Sequence, residues 1–296
     1  MSETKTKTWT VRSLLDWMAE QFEVKEIENP RLIGEMLLTH VLGGNRIDLY
    51  ANANRVATEQ ERTQLRALVQ RAIAHEPVQF IVGNAWFFGS EFQVNPSTLI
   101  PRTCTERLVE QVIEYCASTL SEPNPRIAEI GTGSGCIAIT LASNIQDATI
   151  VATDISTEAL DLAQRNATEH HQDSSITFCE GDAIAPLFNL DPFDIICSNP
   201  PYIPEHEMSA LAPNVADWEP KIALCGGKDG MDILSKIIRD APKHLKPMGL
   251  LIVEISSSIR DHALEFAQAQ SLLEDVKILQ DSFGDDRFLR AIRKSQ

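Results

Sequence analysis

Apolar residues early in the chain recur at helical spacing. Val11, Leu14, Leu15, Met18 and Phe22 return every three or four positions, which predicts a helix with one greasy face. A second helix is bracketed by Asn29 as cap, Pro30 in its first turn and Gly43 just past its end. A third starts at Thr58, where Glu61 completes a capping box, and carries Leu65, Leu68, Val69, Ala72 and Ile73. These patterns predict a small helix bundle over residues 1–75, expected to grip a macromolecular partner. No chemical constellation stands out in it, and the lone His40 and His75 read as structural.

The pattern changes over residues 76–101. Aromatic and small residues alternate around Gly83 and Gly89, which predicts a β-hairpin linking the bundle to the remainder of the chain. Leu99-Ile-Pro-Arg102 then leads into Thr103-Cys-Thr-Glu106, read as another capping box, and into a helix with Leu108, Val109, Val112 and Ile113 on its apolar face. Arg102 reads as a structural or anion-contacting residue rather than a catalytic one.

From Arg126 onward short apolar runs alternate with helical segments, the mark of an α/β fold with a parallel, Rossmann-like sheet. The run 126–130 passes directly into Gly131-Thr132-Gly133-Ser134-Gly135 and then a helix from Cys136. The glycines permit a tight turn and let a ligand approach the backbone, and the helix start offers free N–H groups. The next strand, 149–153, ends in Asp154, where a carboxylate can accept from both hydroxyls of a ribose. A third, 175–179, ends in Glu180-Gly-Asp182, where a polar group could reach an adenine amine. A helix cap or turn is the alternative for each Asp, but four polar strand ends in succession favour a site.

The fourth strand end is the most specific. Asp194-Ile-Ile-Cys-Ser is a buried-strand pattern that must stop at Asn199, because Pro200 and Pro201 cannot continue a central strand. Asn199 has a carbonyl acceptor, and Pro200 has a backbone acceptor whose direction is restricted by Pro201. Two such oxygens can hold both hydrogens of one planar NH2 group, with Tyr202 as a flat apolar neighbour. The arrangement suits an amino or carboxamide nitrogen that must be oriented toward an electrophile. Pro-Pro alone would read as a turn; its position after an apolar strand and downstream of a glycine loop favours the acceptor site.

Composition narrows the choice. The 296 residues suit two domains, and 43% apolar content supports a sizeable core. With 42 acidic against 26 basic residues the formal net charge is −16, which disfavours a nucleic-acid backbone as partner. Six cysteines, none in a C-x-x-C pair, predict neither a disulfide framework nor a metal site. The polar first ten residues, and the lack of any apolar run near the roughly 20 residues that span a bilayer, predict a cytoplasmic chain with no membrane association. The loop spacing G-x-G-x-G differs from the G-x-G-x-x-G of nicotinamide enzymes, and Glu129 and Asp154 suit the cationic S-adenosyl-L-methionine better than a pyrophosphate.

Taken together, Glu129-Ile-Gly-Thr-Gly-Ser-Gly-Cys-Ile-Ala-Ile, Asp154-Ile155-Ser and Asn199-Pro-Pro-Tyr-Ile resemble the HemK/PrmC family, N5-glutamine methyltransferases of peptide-chain release factors. The likeness extends to Glu76-Pro, Phe92, Leu99-Ile-Pro-Arg102, Trp218-Glu-Pro, Gly226-Gly, Asp229-Gly and Asp285-Asp-Arg287. It implies an N-terminal bundle that helps hold the release factor (1–75), a hairpin linker (76–101) and a class I methyltransferase domain of seven strands (102–296). By resemblance, Glu129, Gly131, Thr132, Gly133, Ser134, Gly135, Asp154, Ile155, Asp182, Ala183 and Asn199 hold the cofactor, whose product is S-adenosyl-L-homocysteine. Asn199, Pro200, Pro201 and Tyr202 receive the glutamine of a Gly-Gly-Gln loop in class I release factors, with Asn199, Pro200 and Tyr202 as the catalytic set.

Two departures from the family pattern stand out. Thr103-Cys104 replaces Pro-Glu, and Ser256-Ser-Ser258 stands where glycine and glutamine are usual after the late strand. Both bear on the shape of the substrate loops, not on the cofactor loop. The rival function is a nucleic-acid amino-methyltransferase of the adenine N6 type, whose acceptor motif is similar; the acidity and the lack of a basic target-recognition segment disfavour it.

Overall fold

A computed structural model describes residues 8–120 and 123–295, so the first seven residues of the expected bundle lie outside the described residues. The chain forms two units, one running up to Gly83 and including Pro213–Trp218, the other made of Asn84–Ala212 and the chain from Glu219 onward.

The first unit contains α1 (Val11–Val24), α2 (Pro30–Leu42), α3 (Arg46–Ala51), α4 (Glu59–Ile73) and α5 (Val78–Val82). All five apolar positions expected in α1 are buried. They pack with Leu37 and Leu38 of α2 and Leu65 and Val69 of α4. The Thr58–Glu61 capping box forms as expected, whereas Asn29 caps α2 without a side-chain bond, in a left-handed conformation. One buried polar group went unforeseen: Glu35 of α2, held by Arg46 and the Tyr50 hydroxyl. Burial pushes its carboxyl up, but those partners hold it below the ordinary glutamate value.

Helix α5 corrects the expected extent of the hairpin. Pro77 has no N–H to lose at a helix start, and Gly83, at φ 84°, ends the turn, so the apolar run between them coils. The hairpin is confined to β1 (Asn84–Phe87) and β2 (Ser90–Gln93). Its two-residue turn, Phe88-Gly89, has positive φ at both positions, matching the twist of the strands it joins. Phe87 and Phe92 are fully buried in the core of the second unit.

The second unit continues with α6 (Glu106–Thr119), β3 (Arg126–Ile130), α7 (Cys136–Asn144), β4 (Thr149–Asp154), α8 (Thr157–Glu169), β5 (Ile176–Glu180) and β6 (Phe193–Ser198). After α9 (Pro213–Ala216), in the segment grouped with the first unit, come α10 (Lys221–Leu224), α11 (Asp232–His244), β7 (Leu245–Glu254), α12 (Arg260–Gln268), β8 (Leu273–Gln280) and β9 (Asp286–Arg293). The expected α/β class holds: the seven-stranded sheet has order β5-β4-β3-β6-β7-β9-β8. The first five in that order are parallel, and β9 and β8 are antiparallel additions.

Strand residues alternate between two cores. Ile127, Ile150, Ile195 and Ile252 face α6 and α7, while Ala128, Val151, Ile196 and Leu251 face α11 and α12. The chain leaves β3 toward β4 and β5, then returns to place β6 on the other side of β3. Strand order therefore reverses between β3 and β6, and a crevice opens beyond their carboxyl ends.

Candidate active site

Register brings the strand ends level. Ile130 lies opposite both Thr153 and Ser198, Asp154 opposite Glu180, and Ser198 opposite Val253. The residues just beyond these positions surround a cavity of about 350 Å3. Its wall includes Gly131, Thr132, Gly133, Ser134, Asp154, Ile155, Asp182, Ala183, Asn199, Pro200 and Pro201, so most of the residues expected from sequence converge. Glu129, Gly135 and Tyr202 do not line it.

The glycine loop is shaped by its own chemistry. Gly131, Gly133 and Gly135 all have positive φ, and at Gly135 a Cβ would stand 3.1 Å from Ala163 Cβ of α8. A Cβ on Gly133 would meet no protein atom within 4 Å, so it would project into open space beside the cavity it lines. Asn166 of α8 secures the loop by donating to Ser134 O, and it also brackets Gln93 N and O of the hairpin. Asp154 steadies the loop too, accepting from Gly133 N at 2.9 Å and Ser156 N at 3.0 Å. Asp182 accepts from Lys236 Nζ at 2.7 Å.

Glu129 plays a different part from the one its motif suggested. Strand alternation turns its side chain under α7, where Oε2 accepts from Thr132 Oγ1 and Ala138 N. Complete burial, only partly offset by those bonds, pushes its carboxyl up to about 8. It braces the loop from below and adds little negative charge to the cavity at neutral pH.

Asn199 faces α6. Its Nδ2 donates to Thr105 Oγ1 at 3.2 Å, Thr105 Oγ1 donates to Glu254 Oε2 at 2.8 Å, and the Tyr202 hydroxyl donates to Glu254 Oε1 at 3.1 Å. No donor among the described residues is bonded to Asn199 Oδ1 or to the Pro200 carbonyl, leaving two open acceptors at the strand end. Burial raises Glu254 above the ordinary glutamate value, against the pull of Thr105, Tyr202, Arg287 and Arg102. Burial, together with the Glu254 charge, raises the Tyr202 phenol as well, so it stays protonated.

The expected capping box of Thr103 and Glu106 does not form: Glu106 accepts from Phe88 N of the hairpin turn instead of closing back on the helix start, and no side-chain bond caps the turn or the helix. The three preceding residues form a single 3-10 turn rather than a loop ending in a side-chain cap.

Sequence reasoning also missed the support behind residues 201–203. Gly226 N donates to Ile203 O, Ile203 N to Leu224 O, and a Cβ on Gly226 would stand 2.8 Å from Pro201 O. Arg102 lies on the cavity wall and pairs with buried Glu219 at 2.5 Å, so two motifs over a hundred residues apart meet as one ion pair. Burial raises Glu219, with Arg102 opposing. Thr105 and Glu254 were legible in principle: both stand at element ends on the site side of the sheet.

A parallel sheet with antiparallel β9 and β8, a glycine loop after β3 and an acidic end to β4 define a class I methyltransferase. Its backbone resembles the hMettl16 catalytic domain crystallised with a MAT2A 3′UTR hairpin (TM-score 0.56, 14% identity, 82% of this chain and 85% of that one). It also resembles a methyltransferase from Pyrococcus furiosus (TM-score 0.51, 20% identity, 79% and 99%). At those identities the likeness concerns the fold alone.

Sequence relatives are more specific. Residues 13–83 match the family model described as PrmC N-terminal domain, and residues 109–216 match that described as Methyltransferase small domain. Release factor glutamine methyltransferases from Rhodopirellula baltica (36% identity, 98% of each chain), Geobacter sulfurreducens (41%, 85% of this chain and 86% of the relative) and Chlorobaculum tepidum (40%, 96% and 97%) are similar nearly end to end. The chain belongs to the release factor glutamine methyltransferase family. No helix among the described residues is long and apolar enough to cross a membrane.

Proposed function

We propose that this chain transfers the methyl group of S-adenosyl-L-methionine to the side-chain N5 of the glutamine in the Gly-Gly-Gln loop of class I release factors, in the cytoplasm. The observation that carries this reading is the pair of open acceptors, Asn199 Oδ1 and Pro200 O, at a strand end that shares its cavity with the glycine loop. The residues suit the cofactor. Asp154 can accept from ribose hydroxyls with lone pairs its backbone donors leave free, half-exposed Ile155 offers an apolar face, and Gly133 leaves room beside the backbone. The bound cofactor supplies an electrophilic sulfonium methyl and leaves as S-adenosyl-L-homocysteine.

The chain's own groups orient the acceptor. Asn199 Oδ1 and Pro200 O accept the two amide hydrogens, which directs the nitrogen's reacting face at the methyl group. Pro201 and the Gly226 segment fix the strand exit, so the acceptors need not reorganise as charge develops. Tyr202, expected as a ring beside the carboxamide, lies off the cavity wall and supports the site through its hydroxyl bond to Glu254. The nitrogen loses its proton to water after it has become cationic, and no strong general base is required. The first unit, residues 1–75 in the sequence reading, is the proposed grip on the release factor.

The test uses the purified full chain with isotopically labelled cofactor, offered release factor or DNA and RNA. Label on the glutamine of the Gly-Gly-Gln tryptic peptide is the expected outcome, and label only on nucleic acid would establish the adenine-type rival. Asn199→Ala should lower transfer by about a hundredfold or more, with a smaller effect on S-adenosyl-L-homocysteine binding. Full methylation by that variant would remove Asn199 from the mechanism.

A further inference from the structure

An asparagine amide can face either way, and only one way suits a substrate that must donate. Asn199 Oδ1 turned to the cavity accepts from a substrate NH2; Nδ2 turned there would repel it, donor against donor. Something must choose. Asn199 has one side-chain partner among the described residues, Thr105 Oγ1 at 3.2 Å.

The choice is made one bond further away. A threonine hydroxyl has a single proton to donate. Thr105 lies 2.8 Å from Glu254 Oε2, and the other oxygen of that carboxylate already receives the Tyr202 hydroxyl. Burial raises the Glu254 carboxyl, with Thr105, Tyr202, Arg287 and Arg102 opposing, but two hydroxyls converging one on each oxygen give that carboxylate the acceptor's part in both bonds. The Thr105 proton is therefore committed to Glu254, and what remains facing Asn199 is a lone pair. Of the two ends of the Asn199 amide only Nδ2 can satisfy it, so Oδ1 is left for the substrate.

The fold supplies both partners. Along β7, Leu250 and Ile252 point to the α6 side of the sheet, so Glu254, two residues on, points there as well. Thr105 stands at the start of α6 and is 3% exposed, so water does not compete freely for its hydroxyl.

We infer that Thr105, aligned by Glu254, is the positioning residue that locks the Asn199 amide with its oxygen toward the acceptor nitrogen. The inference rests on the methyltransferase reading of the cavity only for its consequence on rate. The orientation itself has an independent readout.

Asparagine-specific 15N labelling of the full chain, with the Asn199 side-chain resonance identified by its loss in Asn199→Asp, reports that readout. In the parent and in Thr105→Ser the Nδ2 protons exchange slowly with water. In Thr105→Val, which keeps the shape but offers no lone pair, exchange rises several-fold, up to about tenfold. In parallel, Thr105→Val lowers kcat for release-factor methylation by about tenfold or more, with the Kd for S-adenosyl-L-homocysteine within a few-fold of the parent, and Thr105→Ser restores most of the rate. Unchanged Asn199 exchange in Thr105→Val overturns the inference, as does a loss confined to the cofactor Kd. A parent chain that methylates no glutamine would refute the proposed function, while the exchange result would still decide the orientation.

Discussion

Glu129 shows how far a single residue's neighbours in sequence can mislead. Its place two residues before the glycine loop reads as an acidic cofactor contact, but a strand's period of two sends the side chain under α7 instead. With a folded-state pKa of about 8 against an ordinary 4.5, the native chain holds this proton more tightly than the unfolded chain does. Stability from that difference is full below the unfolded value and is lost as pH rises through about 8, a term on the order of a few kcal/mol. Glu129→Gln removes the titration. The difference in melting temperature, variant minus parent, should therefore rise from pH 6 to pH 9, whatever constant cost the amide brings. Thermal melts across that range that keep the difference flat would show that Glu129 does not titrate in this way. Asn199, by contrast, was legible as a residue, because two prolines after an apolar strand leave it few places to be.

At the scale of elements, local grammar succeeded where one segment settles its own shape. The helix starts at Pro30 and Thr58 and the strands 126–130 and 149–154 follow from caps, glycines and periodicity within a few residues. It failed where a distant group competed for the same atoms. The capping box at 103–106 has the right letters, but Phe88 N of the hairpin turn, 18 residues away, takes the Glu106 carboxylate. The glycine loop allows the two demands on glycine to be separated. Gly135→Ala places a Cβ 3.0 Å from Ile139 Cδ1 and 3.1 Å from Ala163 Cβ at φ 81°, so it should destabilise the fold by about 1–3 kcal/mol. Gly133→Ala meets no neighbour within 4 Å and should cost less stability but weaken S-adenosyl-L-homocysteine binding more. Urea titration and calorimetry on the two variants would check the ordering, and the reverse ranking would contradict the loop's assigned geometry.

Across the whole molecule, the strand order converts four separate strand ends into one cavity. The reversal between β3 and β6 sets Gly131 beside Asn199, with a Cβ at Gly131 only 3.9 Å from Asn199 O, although 68 positions separate them. That layout is shared by dinucleotide and S-adenosyl-L-methionine enzymes, so cofactor choice is tested at this scale. S-adenosyl-L-homocysteine at a hundred times its Kd should stabilise the full chain by about 2.7 kcal/mol and raise its melting temperature, with NADH at equal concentration leaving it unmoved. A shift with NADH alone would contradict the S-adenosyl-L-methionine reading of the cavity.

Sequence by itself determined the α/β class, the helical first segment, the glycine loop and the Asn-Pro-Pro-Tyr run, because periodicity, caps and proline act over a few residues and need no tertiary partner. Only the tertiary structure decided that Glu129 braces rather than lines, that Arg102 meets Glu219, and that Thr105 and Glu254 stand behind Asn199. Those outcomes depend on which face of a strand a side chain occupies and which distant donor reaches it first, and both are set by sheet register and strand order, which the order of residues along one chain does not display.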